Sequence, residues 1–277
     1  MKVILYGSEG TIGKYVKDEL LRKKIKTFLY QNKNKIKINP KYEILNKNTI
    51  KDKNLFSNDD ILIYMAWGNL NNYKSILHIK KELPLHYNNI RRLVMNGLKN
   101  IIVTGTCFEY KKKEGLMKET SKVEPFTNYG IAKNNLRKKL TKLKQTYKLN
   151  MTWLRIFYVF GHLKDNNNLW SQINRKSKSK MSEFKMSSGE QYRDYINVKD
   201  LAKNIVFIAL KKKQFGIINL CSGKPIKIKN LVNHWKNKFK LKINFKFNYF
   251  EIPKYESIKF WGCNKKLKKI IKLYEKK

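Results

Sequence analysis

A tyrosine and a lysine four positions apart, in Tyr129-Gly130-Ile131-Ala132-Lys133, are the residues of this sequence best suited to moving a proton. On a helix, side chains four apart share a face, so phenol and ammonium would stand together. A neighbouring cation favours phenolate over phenol and draws a tyrosine pKa down toward working pH. Tyr129 could then give a proton to a carbonyl, or take one from an alcohol, during hydride transfer. A second constellation suits the hydride carrier. Gly7-Ser8-Glu9-Gly10-Thr11-Ile12-Gly13 follows the apolar run Val3–Tyr6 and opens a helical pattern. Glycines let a chain turn tightly and approach a pyrophosphate, whose charge is met by N–H groups at a helix start. The spacing is G-x-x-G-x-x-G, and Gly7, Gly10, Thr11, Ile12 and Gly13 are expected to hold a dinucleotide. Ala66, after a later apolar run, is placed beside them.

The segment Tyr30-Gln31-Asn32-Lys33 follows the second apolar run and offers no carboxylate to ribose hydroxyls. Asn32 and Lys33, with Lys35 near, would suit a 2′-phosphate, so NADP(H) is expected over NAD(H). Cys107, Cys221 and Cys263 lie far apart, and with His78, His86, His162 and His234 they form no recognisable metal pattern. Neither a metal nor a disulfide framework is expected.

These groups need elements to hold them. Strands are predicted at Val3–Tyr6, Thr27–Tyr30, Ile61–Met65, Ile101–Thr104 and Thr152–Phe157. Helices are predicted at Thr11–Lys24, Leu83–Gly97 and Tyr129–Lys148, the last with Thr127 and Asn128 as candidate caps. Strands apolar on both faces, alternating with helices, predict an α/β fold: a Rossmann-like, doubly wound parallel sheet. Beyond Gly161, Lys164–Lys180 reads as polar loop, and Tyr195–Val198, Leu201–Leu210 and Ile217–Leu220 read as strand, helix, strand. The tail carries a helix around Leu231–Phe239 and a β-like run at Ile243–Phe247. The expected division is a dinucleotide-binding domain over 1–160, with 189–221 returning to it. A smaller, discontinuous substrate lobe is formed from 161–188 and 222–277.

Sixty-two lysines and arginines stand against 20 acids, a net charge of +42. The excess is lysine, with only seven arginines, and it is spread along the whole chain. Lys, Asn, Ile, Tyr and Phe, the residues of A/T-rich codons, are used throughout. A dedicated nucleic-acid binder gathers its charge into a stripe with Arg prominent. Solvated surface is therefore expected, with no specific nucleic-acid partner. No apolar stretch approaches a membrane span, and Val3–Tyr6 is too short for a signal peptide core, so a soluble cytoplasmic protein is expected.

Further motifs follow in order: Thr104-Gly105-Thr106-Cys107-Phe108-Glu109-Tyr110, then Leu154-Arg155-Ile156-Phe157-Tyr158-Val159-Phe160-Gly161. Arg193-Asp194-Tyr195-Ile196-Asn197-Val198-Lys199-Asp200 and Asn219-Leu220-Cys221-Ser222-Gly223-Lys224-Pro225 complete the set. With the glycine turn and the Tyr129/Lys133 pair, the sequence resembles the NAD(P)-dependent epimerase/dehydratase family of extended short-chain dehydrogenases over nearly its whole length. The resemblance implies that Thr106, Tyr129 and Lys133 are catalytic: Thr106 binding the substrate oxygen, Tyr129 as acid/base, Lys133 holding the nicotinamide ribose. It implies a nucleotide-sugar substrate contacted by Thr106, Cys107, Phe108, Tyr158 and Arg193, with Arg193 on the diphosphate. It also implies a homodimer built on 83–97 and the Tyr129 helix. Taken singly, Thr106 could be a cap, and Arg193 an ion-pair partner of Asp194.

Cys107 and Phe108 occupy the two positions where relatives that eliminate water carry an Asp-Glu pair. Cys107 is also one place short of the cysteine used for 3,5-epimerisation in GDP-fucose synthase, and a core thiol is its expected role. What remains is chemistry at one carbon: reduction of a nucleotide-linked 4-keto-6-deoxysugar or, alternatively, 4-epimerisation with retained NAD. The lack of a carboxylate after the second strand favours the reductase. A reading of another class is a catalytically silent cofactor- or polyanion-binding protein, which the presence of Thr106, Tyr129 and Lys133 disfavours.

Overall fold

In the computed structural model, which describes residues 1–30, 42–46, 55–161, 168–179, 183–252 and 257–275, apolar runs and helical patterns alternate through the first half. They form β1 (Val3–Tyr6), α1 (Gly13–Arg22), β2 (Thr27–Tyr30), β3 (Glu43–Leu45), β4 (Ile61–Tyr64), α2 (Leu83–Met95), β5 (Asn100–Thr106), β6 (Gly115–Met117), α3 (Asn128–Tyr147) and β7 (Asn150–Ile156). The second half adds β8 (Tyr158–Phe160), α4 (Leu169–Lys176), β9 (Glu183–Lys185), β10 (Tyr192–Asn197), α5 (Val198–Leu210), β11 (Gly216–Leu220), β12 (Pro225–Lys227), α6 (Ile228–Lys238), β13 (Asn244–Lys246), β14 (Phe260–Gly262) and α7 (Lys265–Glu275). A π-helical turn, His78–Glu82, runs straight into α2, and a 3₁₀ turn, Cys107–Glu109, follows β5.

Seven strands form one sheet in the order β11-β7-β5-β4-β1-β2-β3, every neighbouring pair parallel. Side chains alternate across it. Ile4, Leu62 and Val103 pack with Ile90 and Leu93 of α2 and Ala132 and Leu136 of α3. Val3, Leu5, Ile63 and Ile102 pack on the other face with Val16, Leu20, Ile205 and Ile270, from α1, α5 and α7. Both faces are covered, which is why these strands are apolar throughout. The strand order reverses between β1 and β4. That makes the carboxyl ends of these two strands the crevice where open α/β sheets bind ligands.

The second half departs from expectation in two places. The stretch expected as polar loop contains α4, capped by Asn168, whose side chain accepts from Ser171 N–H at 2.8 Å. Trp170 and Ile173, a turn apart, bury one face of it against Trp235, and a short helix with so few apolar residues gives little periodicity to read. Strand β10 does not join the large sheet. It lies between β8 and β12 in a three-stranded sheet, while α5 packs on the large sheet and β11 joins it beside β7. The pairs β13-β9 and β14-β6 complete the smaller half. Among the described residues, no helix is long and apolar enough to cross a membrane. None of their His, Cys, Asp and Glu form a group that could hold a metal ion.

Candidate active site

The glycine turn closes against the end of β4. Gly7 has φ +96°, and a Cβ there would stand 2.7 Å from the Ala66 nitrogen. A Cβ on Gly13 would stand 1.9 Å from the Gly7 oxygen, so α1 can begin directly under the turn only with glycine. The start of α1 has no side-chain cap and no acid in its first turn, so the positive end of its dipole meets no carboxylate of its own. A tight turn with a bare helix start fits the pyrophosphate of a dinucleotide. Gly7, Gly10, Thr11, Ile12 and Gly13 line a cavity of about 390 Å³, whose far walls carry Thr106, Cys107, Phe108, Tyr129, Lys133 and Tyr158. Ala66 packs behind Gly7, between the lining residues Met65 and Trp67.

Thr106 is the last residue of β5 and caps the 3₁₀ turn, its hydroxyl accepting from Phe108 N–H at 3.3 Å. The capping reading of Thr106 therefore holds beside its place in the cavity. The buried Glu109 carboxylate returns to Thr106, accepting its backbone N–H at 2.9 Å, and also accepts from Trp153 Nε1 at 2.9 Å and Arg155 Nε at 2.9 Å. This carboxylate tucks under β5 because residue 105 is glycine: a Cβ there would lie 2.3 Å from Glu109 Oε1. Helix α3 presents the other two groups. Thr127 caps it, accepting from Gly130 N–H at 3.1 Å, while the Asn128 side chain instead donates to the Lys74 carbonyl at 2.6 Å.

Tyr129 stands among rings, stacked on Tyr73 at 5.1 Å and 19°, with Trp67, His78 and Phe108 around it. Burial pushes its phenol well above the ordinary tyrosine range, and a hydrogen bond with Thr106 opposes this. The lowering expected from a nearby ammonium is not what the geometry gives. The Lys133 ammonium is turned to the Thr104 carbonyl at 2.9 Å and lies 4.2 Å from the centre of the Trp67 ring. Burial brings Lys133 itself down to about 7, against the pull of Glu109 and then Glu82.

A second cavity of about 590 Å³ shares Tyr73, Cys107, Phe108 and Tyr158 with the first and continues toward the smaller half. Arg193 lines it, 5.8 Å from the centre of the Tyr158 ring, and donates to the Tyr192 carbonyl at 2.9 Å. Asp194 is not its ion-pair partner. It faces the other side of β10 and accepts from the N–H groups of Ser222 and Gly223 at 2.7 and 2.8 Å. The Cys107 thiol is buried and pushed up to about 12, so it packs as a thiol.

Asn32 and Lys33 lie outside the described residues. Sequence reasoning missed Trp67, Tyr73 and Glu109, and the buried trio His78, Glu82 and His86. The trio had a signal, a repeat of four along one helical face. Glu109 had one too, as a carboxylate in an otherwise apolar segment.

Known proteins of similar sequence and fold give the chain a family. The family model described as NAD dependent epimerase/dehydratase family matches residues 3–221. The chain is 31% identical over 271 residues to a protein of Aggregatibacter actinomycetemcomitans named dTDP-6-deoxy-L-talose 4-dehydrogenase (NAD(+)), covering 95% of this chain and 100% of that one. Among solved structures, UDP-glucose 4-epimerase of Thermotoga maritima with UDP-glucose is similar at TM-score 0.78 and 18% identity, over 97% of this chain and 92% of that chain. MoeE5 in complex with UDP-glucose and NAD is similar at TM-score 0.79 and 15% identity, over 98% and 92%. At those identities the likeness is one of fold.

Proposed function

The chain belongs to the NAD-dependent epimerase/dehydratase family, and from that premise we propose that it interconverts alcohol and ketone at C4 of a nucleotide-linked 6-deoxysugar. The observation that carries this reading is one cavity lined by the glycine turn, Thr106, Tyr129 and Lys133, opening into a second that Arg193 lines. A relative matched end to end is named as a 4-dehydrogenase of such a sugar, and reduction of a 4-keto sugar is that reaction reversed. The same relative is named for NAD(+), and we propose NAD(H) in place of the NADP(H) expected from Asn32 and Lys33.

When bound, the dinucleotide supplies or accepts the hydride. Gly7, Gly10, Gly13 and the start of α1 would hold its pyrophosphate, and Lys133 its ribose. The Thr106 hydroxyl and Tyr129 phenol would grip the C4 oxygen. Burial keeps Tyr129 a phenol, the form that donates a proton as the ketone is reduced. In the other direction the same oxygen, ionised to phenolate, receives the alcohol proton. Arg193, with five donors in a planar fork, would hold the diphosphate of the sugar nucleotide beside Tyr158.

With dTDP-6-deoxy-L-talose and NAD(+), the protein is expected to form NADH, and Tyr129→Phe to turn over ~10²–10⁴-fold more slowly. Wild-type turnover by that variant would remove Tyr129 from the chemistry. Stoichiometric NAD released on denaturation, with C4 inversion and no net NADH, would replace this reading with a 4-epimerase. Failure to bind any nicotinamide nucleotide would overturn the reading as a nicotinamide-dependent enzyme.

A further inference from the structure

His78 and Glu82 are buried on the helical turn that leads into α2, His86 is buried in the first turn of α2, and the chemistry above uses none of them. Their partners fix where the protons sit. An indole nitrogen only donates, so Trp67 Nε1–H donates a hydrogen bond to His78 Nδ1 at 3.1 Å. His78 Nε2 then carries the hydrogen and donates to the Asn72 carbonyl at 3.0 Å. A carboxylate only accepts, so His86 Nε2–H donates to Glu82 at 3.0 Å, and the Tyr64 hydroxyl donates to His86 Nδ1 at 2.6 Å. Glu82 also accepts from Gly68 N–H and Asn69 Nδ2, each at 2.9 Å. Burial, and next the charge of Lys133, hold His86 down at about 4, so at neutral pH it is uncharged. All these donors to Glu82 are therefore neutral.

Trp67 joins this group to the cavity. His86 stacks on the indole at 4.6 Å and 23°, and the Lys133 ammonium lies 4.2 Å from the same ring. Donating its N–H to His78 leaves the indole richer in electrons, which strengthens its hold on a cation. We propose that Trp67, fixed by His78 and His86, positions Lys133, and that the Glu82 carboxylate bonded to His86 behind the ring favours the ammonium form of this lysine. The proposal rests on Lys133 serving the reaction assigned above. The titratable and charged groups around Lys133 are Glu109, Glu82, His86, His78, Tyr129 and, one turn along α3, Arg137. Of the two carboxylates, Glu109 is engaged by Arg155 at 2.9 Å and approached by Arg137 at 3.8 Å. Glu109 pulls on Lys133 the more, and Glu82 is the carboxylate whose hydrogen-bond donors are all neutral.

The test follows Lys133 itself. Its rate of acetylation by acetic anhydride, read by mass spectrometry on its own peptide across pH 5–10, gives its titration. The wild-type midpoint is expected near 7. Glu82→Gln and Trp67→Leu should move it to lower pH by about 1 unit, while Trp67→Phe, which keeps a ring, stays near the wild type. Turnover of dTDP-6-deoxy-L-talose should lose its alkaline limb over the same interval, through kcat with KM little changed. Unmoved midpoints in folded Glu82→Gln and Trp67→Leu would overturn the proposal. If Trp67→Leu does not fold, Glu82→Gln, equal in volume, carries the test. Lys133→Met turning over at the wild-type rate would instead overturn the catalytic role of Lys133, leaving the labelling result intact, so the two failures are told apart.

Discussion

Two buried carboxylates bear on the same lysine, and the molecule treats them in opposite ways. Glu109 ties Thr106, Trp153 and Arg155 together beneath the ends of β5 and β7, and its bond to Arg155 sets charge against charge. Glu82 is bound by two side-chain donors and one backbone N–H, none of them charged at neutral pH. Both raise Lys133, Glu109 the more. The difference separates two uses of one functional group. A buried carboxylate matched by a guanidinium fastens the frame that carries Thr106. One held by neutral donors alone has no countercharge bonded to it and adds its field to that of Glu109 on Lys133, at the cost of its own desolvation.

The largest effect should come from undoing the matched pair. Glu109→Ala leaves Arg155 buried and uncompensated, and the loss of unfolding free energy should be ~3–5 kcal/mol. Glu82→Gln leaves neutral neighbours and should lose less, ~1–3 kcal/mol. Urea unfolding of the two variants reads this directly. Equal losses would mean that Glu82 is as much a fastener as Glu109, and the contrast would fail.

A smaller effect should appear with pH, and only on the Glu82 side. The unfolded chain protonates His86 near 6.5, whereas the folded protein holds it down to about 4. Between those values the unfolded state binds the extra proton, so stability falls as pH drops from 6.5 toward 4. Above 6.5 this contribution is fully present. The guanidinium partners of Glu109 do not titrate in that window. His86→Phe should therefore flatten the acid limb of a plot of unfolding midpoint against pH, and Arg155→Lys should leave its slope alone. An unchanged slope in His86→Phe would show that the acid sensitivity lies elsewhere.

How much of this could be read from the chain depends on how far apart the partners are. The glycine turn and the Tyr129/Lys133 pair are spaced within one turn or one helix, so residue type and spacing alone marked them. The strands beneath them were legible because a parallel sheet covered on both faces needs four or more apolar residues in a row. Thr106 and Arg193 could be named only by resemblance. That Arg193 and Asp194 face opposite sides of β10 follows from strand alternation, once the strand is known to start at Tyr192. The carboxylates were not legible in the same way. Glu109 meets Arg155 across 46 positions, a contact that exists only because β7 lies beside β5. The His78, Glu82, His86 repeat showed a helical face, but not that Trp67, on a separate loop, would connect it to Lys133.

The smallest change sharpens the contrast by touching neither carboxylate. Thr127 caps the helix that carries Tyr129 and Lys133. Removing the cap in Thr127→Ala should cost ~1 kcal/mol, a few degrees in a thermal melt. The start of α3 has other holds: Tyr129 N–H donates to the Tyr73 carbonyl at 3.0 Å, and Asn128 to that of Lys74. Lys133, one turn further in, is fixed by Thr104 and Trp67. The melt should therefore move while the Lys133 titration does not. A shift of that titration in Thr127→Ala would make the helix start, and not the charge behind Trp67, the control on Lys133. In that case the two carboxylates would differ in stability alone.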